Sequence, residues 1–155
     1  MADVAIDTLT GESRVLRADL VQDCGASLNP AVDLGQIEGA FVQGQGWFTC
    51  EELWWDDKGV LRTVGPSTYK IPGSRDAPAV FNVKMLDNAP NREATIFRSK
   101  AVGEPPLMLA TAVWNALKDA IAATSPEGRD GKTAVRLDAP ATPERVLAAI
   151  ATLRK

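Results

Sequence analysis

The chain has 155 residues, 45% of them apolar and 24% charged, with a net charge of -3 from 17 basic and 20 acidic side chains. That is enough apolar material to bury a core without disulfides or a structural metal, and the acidic balance argues against a broad electrostatic surface for nucleic acid. The absence of histidine removes Ser-His and Cys-His nucleophilic catalysis and histidine-ligated metals, so any proton transfer must use a carboxylate, Lys, Tyr or Cys.

Residues 3–7 alternate polar and apolar, 8–12 read as a turn, and 13–21 alternate again, which predicts an opening β-hairpin. Residues 23–29 form a polar loop. Asn29-Pro30 then offers an N-cap followed by proline at the first helical position. Ala31, Leu34, Ile37, Ala40, Phe41 and Trp47 follow at helical spacing, predicting a helix over 30–49. That helix carries Gly35, Gly39, Gly44 and Gly46. Each costs about 1 kcal/mol relative to Ala, and the physical use of such glycines is close approach by another helix or by a ligand.

Residues 51–55, the turn Asp56-Asp57-Lys58-Gly59 and residues 60–64 read as a second hairpin, followed by a proline-bearing loop over 66–78. Residues 80–86 alternate as a strand through Phe81, Val83 and Met85. Pro105 and Pro106 fit only a first helical turn, and Leu107, Ala110, Val113, Trp114, Leu117 and Ile121 form the apolar stripe of a helix reaching about residue 123. That helix is expected to stop before Ser125-Pro126-Glu127-Gly128. Residues 135–137 suggest a short strand, and Thr142-Pro143 opens a last helix. The expected architecture is α+β: one domain over 1–155, with a mixed or antiparallel sheet from the hairpins packed against the glycine-rich helix and the 105–123 helix.

Cys24 and Cys50 stand far apart with no CxxC pair, which indicates neither a zinc site nor a disulfide framework. No run approaches the roughly 20 apolar residues of a bilayer span. No charged segment followed by an apolar one marks a signal peptide, so a cytoplasmic location without membrane contact is expected.

Two segments could carry chemistry. In Gly103-Glu104-Pro105-Pro106, Glu104 sits at the mouth of a helix, where free N–H groups and the dipole favour an ionised carboxylate suited to a general base. Gly103 lets another body come close to the backbone. The alternative is that Glu104 only caps the helix, and spacing alone favours that. In Gly35-Gln36-Ile37-Glu38-Gly39 and onward to Gly46, the amides of Gln36, Gln43 and Gln45 suit a cofactor rich in oxygens and ring nitrogens; a solvated glycine-packed helix is the other reading. The glycine spacing is not G-x-G-x-x-G, which argues against a nicotinamide site. Trp47, Phe48, Trp54 and Trp55 read as core and hairpin packing.

The strings 29–30, 35–44, Glu51-Glu52-Leu53, Gly65-Pro66-Ser67-Thr68-Tyr69-Lys70-Ile71-Pro72, Ala89-Pro90-Asn91, Ser99-Lys100-Ala101-Val102-Gly103-Glu104-Pro105-Pro106-Leu107 and Thr142-Pro143-Glu144-Arg145-Val146-Leu147 together resemble the molybdopterin-binding chain of the xanthine oxidase family. The resemblance runs in order over essentially the whole sequence. The 65–72 and 103–106 strings are more similar to xanthine dehydrogenases and aldehyde oxidases than to carbon monoxide dehydrogenases. Cys24 stands where that pattern more often has Val, and reads as buried and structural.

The resemblance implies molybdenum-molybdopterin as cofactor. Glu104 would be the general base that takes a proton from a molybdenum-bound hydroxide attacking an electron-poor ring carbon. Gln36 would be a pterin contact, Gly103 would lie beside the cofactor, and Lys100 would be a further cofactor-side residue that helps hold Glu104 ionised, a solvated lysine being the other reading. It implies hydroxylation of purines, hypoxanthine and xanthine to uric acid. FAD and iron–sulfur clusters would sit on other domains or subunits, since no cysteine pattern or flavin motif for them occurs here. Family chains carry several hundred residues ahead of this point. The sequence therefore reads as a C-terminal fragment that pairs with the rest of the molybdopterin-binding subunit and the FAD/iron–sulfur subunit, inactive by itself. A non-catalytic assembly module and an aldehyde oxidase-type hydroxylase are the alternatives.

Overall fold

The computed structural model describes residues 1–125 and 133–153. Strands β1 (Ala2–Ile6) and β2 (Ser13–Gln22) form the expected antiparallel hairpin, Ala2 facing Ala18 and Ile6 facing Ser13. Its turn is held by Asp7, whose Oδ1 accepts the Leu9 and Thr10 N–H groups at 2.7 and 3.2 Å; those donors, Leu9 foremost, lower the Asp7 pKa. A bulge between Asp3 and Val4 leaves Leu16 unpaired on β2. The bulge resets the alternation, so that Val15, Ala18 and Leu20 all turn inward.

Strand β3 (Val80–Met85) joins β2 in parallel, Arg17 facing Val80 and Gln22 facing Met85, giving a mixed sheet ordered β1-β2-β3. A parallel pair needs a long crossover, and the connection that carries helix α1 (Pro30–Thr49) supplies it. Asn29 is extended at φ -148° and its side chain accepts the Val32 N–H, as its N-cap chemistry requires. Phe41 is fully buried and packs on Phe81 of β3 with ring centroids 5.3 Å apart.

Helices α2 (Thr111–Ala122) and α3 (Pro143–Leu153) complete the core. Ala110, Val113, Leu117 and Ile121 from the predicted stripe are buried beside Ile37, Val146 and Ile150. The α+β expectation is therefore met, with α1 contacting β3 and α2 contacting β1. The expected stop near residue 125 adjoins a stretch, 126–132, that lies outside the described residues.

Three expected elements differ. The 51–64 hairpin reduces to one bridge between Trp55 and Leu61, around an Asp56 carboxylate that receives the Lys58 and Val60 N–H groups and the Arg62 guanidinium. Leu53, Trp54 and Trp55 are 54, 55 and 52% exposed, so no buried face fixes a strand register. The helix expected from 105 begins as a 3-10 turn, Pro105–Ala110, and becomes α-helical only at Thr111. Pro105 and Pro106 have no N–H, and the Leu107 N–H donates to the Glu104 carbonyl at 3.1 Å, an i to i-3 bond. Residues 135–137 form no ladder; Val135 instead fills the core, 8% exposed.

Candidate functional site

Helix α1 meets the Glu104 segment at two points. An added Cβ at Gly103 would lie 3.7 Å from Gln36 Oε1, an ordinary contact. Two turns further along, Gly44 lies directly under the Leu107 carbonyl and beside Ala110. Gln36, Gly103 and Glu104 are thus brought to one edge of the molecule, and all three are exposed.

The backbone around Glu104 corrects one expectation. No side-chain capping bond forms at Glu104, so the cap reading fails. The cradle of free N–H groups is also missing, because the next two residues are prolines and the Leu107 N–H is already engaged. What holds Glu104 in place is the chain on either side of it.

Upstream, the chain is stitched to the loop that follows β2. The Lys100 N–H donates to the Cys24 carbonyl at 2.9 Å and the Ala26 N–H donates to the Arg98 carbonyl at 3.0 Å. Gly25, at φ +64°, sits where a Cβ would meet the Arg98 carbonyl oxygen at 2.5 Å, so only glycine fits there. The Lys100 ammonium donates to Asp23 Oδ2 at 2.5 Å, while Asp23 Oδ1 accepts the Gly25 N–H at 2.9 Å. Lys100 first, and then the Gly25 N–H, lower the Asp23 pKa. Lys100 is therefore engaged with Asp23 within the chain. Asp23 was not foreseen as its partner; the Asp-x-Gly turn at 23–25 was the available signal.

Ahead of Lys100, Phe97 and Arg98 both take left-handed backbone angles, φ 50° and 62°. Such strain persists only where the surroundings over-determine it. Here Arg98 Nη1 donates to the Arg92 and Glu93 carbonyls at 2.8 and 3.2 Å, and Thr95 Oγ1 donates to the Ser99 carbonyl at 2.7 Å. Cys24 beneath this knot is 2% exposed, and burial raises its thiol pKa, in keeping with a structural role.

The open face of α1 answers what could lie against this edge. Gly35 and Gly39 have no atom within 4 Å of an added Cβ, so nothing within the described residues compensates for their presence in a helix. Gln36, Gly39 and Gln43 share one face by helical spacing, and Gln36 and Gln43 are exposed. No hydrogen bond among the described residues engages the Gln36 side chain. Gln45 departs from this group: it is 4% exposed, its Nε2 donates to the Asp76 carbonyl at 2.5 Å, and its Oε1 is unpaired. A glycine-cleared face beside a free amide fits one side of an organic group rich in nitrogen and oxygen acceptors and donors. No three His, Cys, Asp or Glu side chains converge among the described residues.

A cavity of about 710 Å³ lies elsewhere, lined by Arg14, Gln45, Cys50, Lys70 and neighbours; of the candidate residues it includes Gln45 alone, and neither Gln36, Lys100, Gly103 nor Glu104. The aromatic expectation holds in part. Phe48 packs on Trp114 in a tilted contact with ring centroids 5.6 Å apart, but Trp47, Trp54 and Trp55 are 58, 55 and 52% exposed and not part of the core. Among the described residues no helix is long and apolar enough to cross a membrane.

Residues 1–78 match a family model described as the molybdopterin cofactor-binding domain. The chain is 54% identical over 146 residues to xanthine dehydrogenase/oxidase of Rattus norvegicus, a match covering 94% of this chain and 11% of that protein. The chain thus spans about a tenth of the length of that curated relative. Quinoline 2-oxidoreductase from Pseudomonas putida 86 superposes with a TM-score of 0.81 at 32% identity, over 96% of this chain and 18% of that one. Aldehyde oxidoreductase from Desulfovibrio gigas superposes with a TM-score of 0.75 at 28% identity, over 97% and 15%.

Proposed function

The chain belongs to the molybdopterin cofactor-binding domain family, and from that premise we propose that it forms one wall of the cofactor site in a molybdenum-dependent xanthine dehydrogenase. The single observation that carries the reading is the convergence of Gln36, Gly103 and Glu104 beside the open glycine face of α1. In this reading the substrates are purines, hypoxanthine and xanthine giving uric acid, and the residues form one unit of a larger molybdopterin-binding polypeptide.

The bound molybdenum centre supplies two-electron oxidation and acidifies the oxygen to be transferred. The chain's own residues do the rest. The Gln36 amide donates to and accepts from the pterin edge, and Gly35, Gly39 and Gly103 leave room for that edge. The Glu104 carboxylate accepts the proton of the attacking oxygen as the new bond to the electron-poor ring carbon forms. Lys100, neutralised by Asp23, acts by pinning the segment that leads to Glu104, and its contribution to the cofactor side runs through that anchor. FAD and iron–sulfur clusters sit on the other domains or subunits, and the remainder of the molybdopterin-binding subunit closes the far side of the pocket.

The test is Glu104→Gln in the enzyme that contains this chain. Turnover of xanthine should collapse while molybdenum content stays near normal; near-normal turnover would remove the base assignment. A comparison of kcat/KM for xanthine against aromatic aldehydes decides the substrate class, and preference for aldehydes would favour the aldehyde oxidase-type alternative.

A second reading, a non-catalytic assembly module, draws on the exposed Leu53, Trp54 and Trp55 together with Val32 and Trp47 on α1. Apolar surface of that kind meets another polypeptide. Stable recovery of this chain with the remaining molybdopterin-binding polypeptide, but without any effect of Glu104→Gln, would favour it.

A further inference from the structure

Gly44 stands where the backbones of α1 and the Glu104 segment touch. An added Cβ there would run into the Leu107 carbonyl oxygen, lie 3.2 Å from the Leu107 carbonyl carbon and sit 2.8 Å from Ala110 Cβ. Leu107 is tied directly to Glu104, because its N–H donates to the Glu104 carbonyl. On the same helix, eight residues earlier, Gln36 borders Gly103. At about 1.5 Å of rise per residue the two contacts lie roughly 12 Å apart along α1. Glu104 is therefore suspended from the helix between them.

We propose that Gly44 is a positioning residue: by admitting the Leu107 carbonyl onto the α1 backbone, it sets the distance between the Gln36 amide and the Glu104 carboxylate. This rests on the reading of Glu104 as the base, but it does not follow from that reading. Other glycines of α1 behave differently. Gly35 and Gly39 face open space, while Gly46 is covered by the Glu51 side chain and Pro72, away from the Glu104 segment. Only Gly44 among them meets the segment's backbone.

Carbon atoms settle about 3.5–4.0 Å apart, so an alanine at 44, held at 2.8 Å from Ala110 Cβ, requires the segment to move by about 1 Å. Backbone cannot yield as a flexible side-chain end does. A misplacement of about 1 Å costs on the order of 10²-fold in rate when it separates groups that must be aligned. Glycine to alanine inside a helix ordinarily strengthens the helix, so a general helix effect runs in the opposite direction.

The experiment uses the molybdenum-loaded enzyme that contains this chain, with Gly44→Ala, Gly44→Ala/Ala110→Gly, Glu104→Gln and, as a loop control with open space around it, Gly65→Ala. Gly44→Ala should lower kcat on the order of 10²-fold with KM and molybdenum content little changed. Hydrogen exchange over residues 104–110 should quicken while exchange over α2 stays as it was. Adding Ala110→Gly should not restore kcat, because the clash with the Leu107 carbonyl remains. The proposal is overturned by unchanged exchange over 104–110, by full kcat in Gly44→Ala, or by full rescue through Ala110→Gly. A collapse in Glu104→Gln alongside an active Gly44→Ala removes the positioning role alone. Full activity in Glu104→Gln removes the base reading, and the exchange result then judges Gly44 separately.

Discussion

Phe41 joins α1 to the sheet, and Phe41→Ala tests whether that joint supports the site. Phe41 is fully buried and packs on Phe81 in a tilted contact with ring centroids 5.3 Å apart. Removing a buried phenyl ring loses its transfer free energy and leaves a cavity, together about 3–5 kcal/mol. Stabilities of single domains are commonly about 5–15 kcal/mol, so the loss is a large share of the whole. With a urea slope of about 2 kcal/mol/M, a 4 kcal/mol loss lowers the unfolding midpoint by about 2 M. The assay is equilibrium urea unfolding followed by far-UV circular dichroism, with Trp47→Ala as comparison. Trp47 lies on the same helix but is 58% exposed, so its removal should cost within about 0.5 kcal/mol. A Phe41→Ala shift below about 0.5 M, or an equal shift for Trp47→Ala, would refute the packing argument.

Other outcomes follow from the same structure. Gln45→Leu removes a buried acceptor that has no partner at the expense of one bond to the Asp76 carbonyl; stability should rise by about 1 kcal/mol, measured by urea unfolding, and a fall would show that the bond to Asp76 outweighs the unpaired acceptor. Gly25→Ala forces a side chain into a left-handed position against the Arg98 carbonyl, which should cost at least about 1 kcal/mol and quicken exchange over residues 98–104; an unchanged melting temperature would count against the stitch. The Asp23 pKa is lowered in the folded chain by Lys100 and the Gly25 N–H. Its contribution is therefore complete above the ordinary aspartate range and lost as pH falls through the lowered folded value. Acid titration should loosen residues 98–104 in the native protein, and Asp23→Asn should abolish that pH dependence; an identical acid profile in Asp23→Asn would disprove the linkage. Gln36→Ala should leave stability unaltered, since no hydrogen bond among the described residues engages its side chain, yet reduce molybdopterin retention measured on the purified enzyme; full retention would exclude Gln36 as a pterin contact.

Local rules made much of this protein legible before any coordinates. The Asn29-Pro30 pair marks the start of α1, alternation marks β1, β2 and β3, and the stripe Ala110, Val113, Leu117 and Ile121 is buried as its spacing requires. These are short-range patterns set by capping chemistry and side-chain periodicity. The resemblance in the 35–44 and 99–107 strings likewise pointed to Gln36 and Glu104 as candidates. Tertiary structure decided what those patterns cannot encode. Parallel pairing of β3 with β2 depends on a crossover, not on β3 itself. The 51–64 hairpin needed a neighbour to bury its tryptophans, and none of the described residues provides one. Lys100 looked like a charge available to the site until Asp23, 77 positions away, was found to hold it. Above all, four glycines that look equivalent along α1 part ways in three dimensions: Gly35 and Gly39 face open space, Gly46 lies under a loop, and Gly44 meets the Leu107 carbonyl. Glycine declares in sequence only that something comes close; which body comes close is settled by packing between elements distant along the chain.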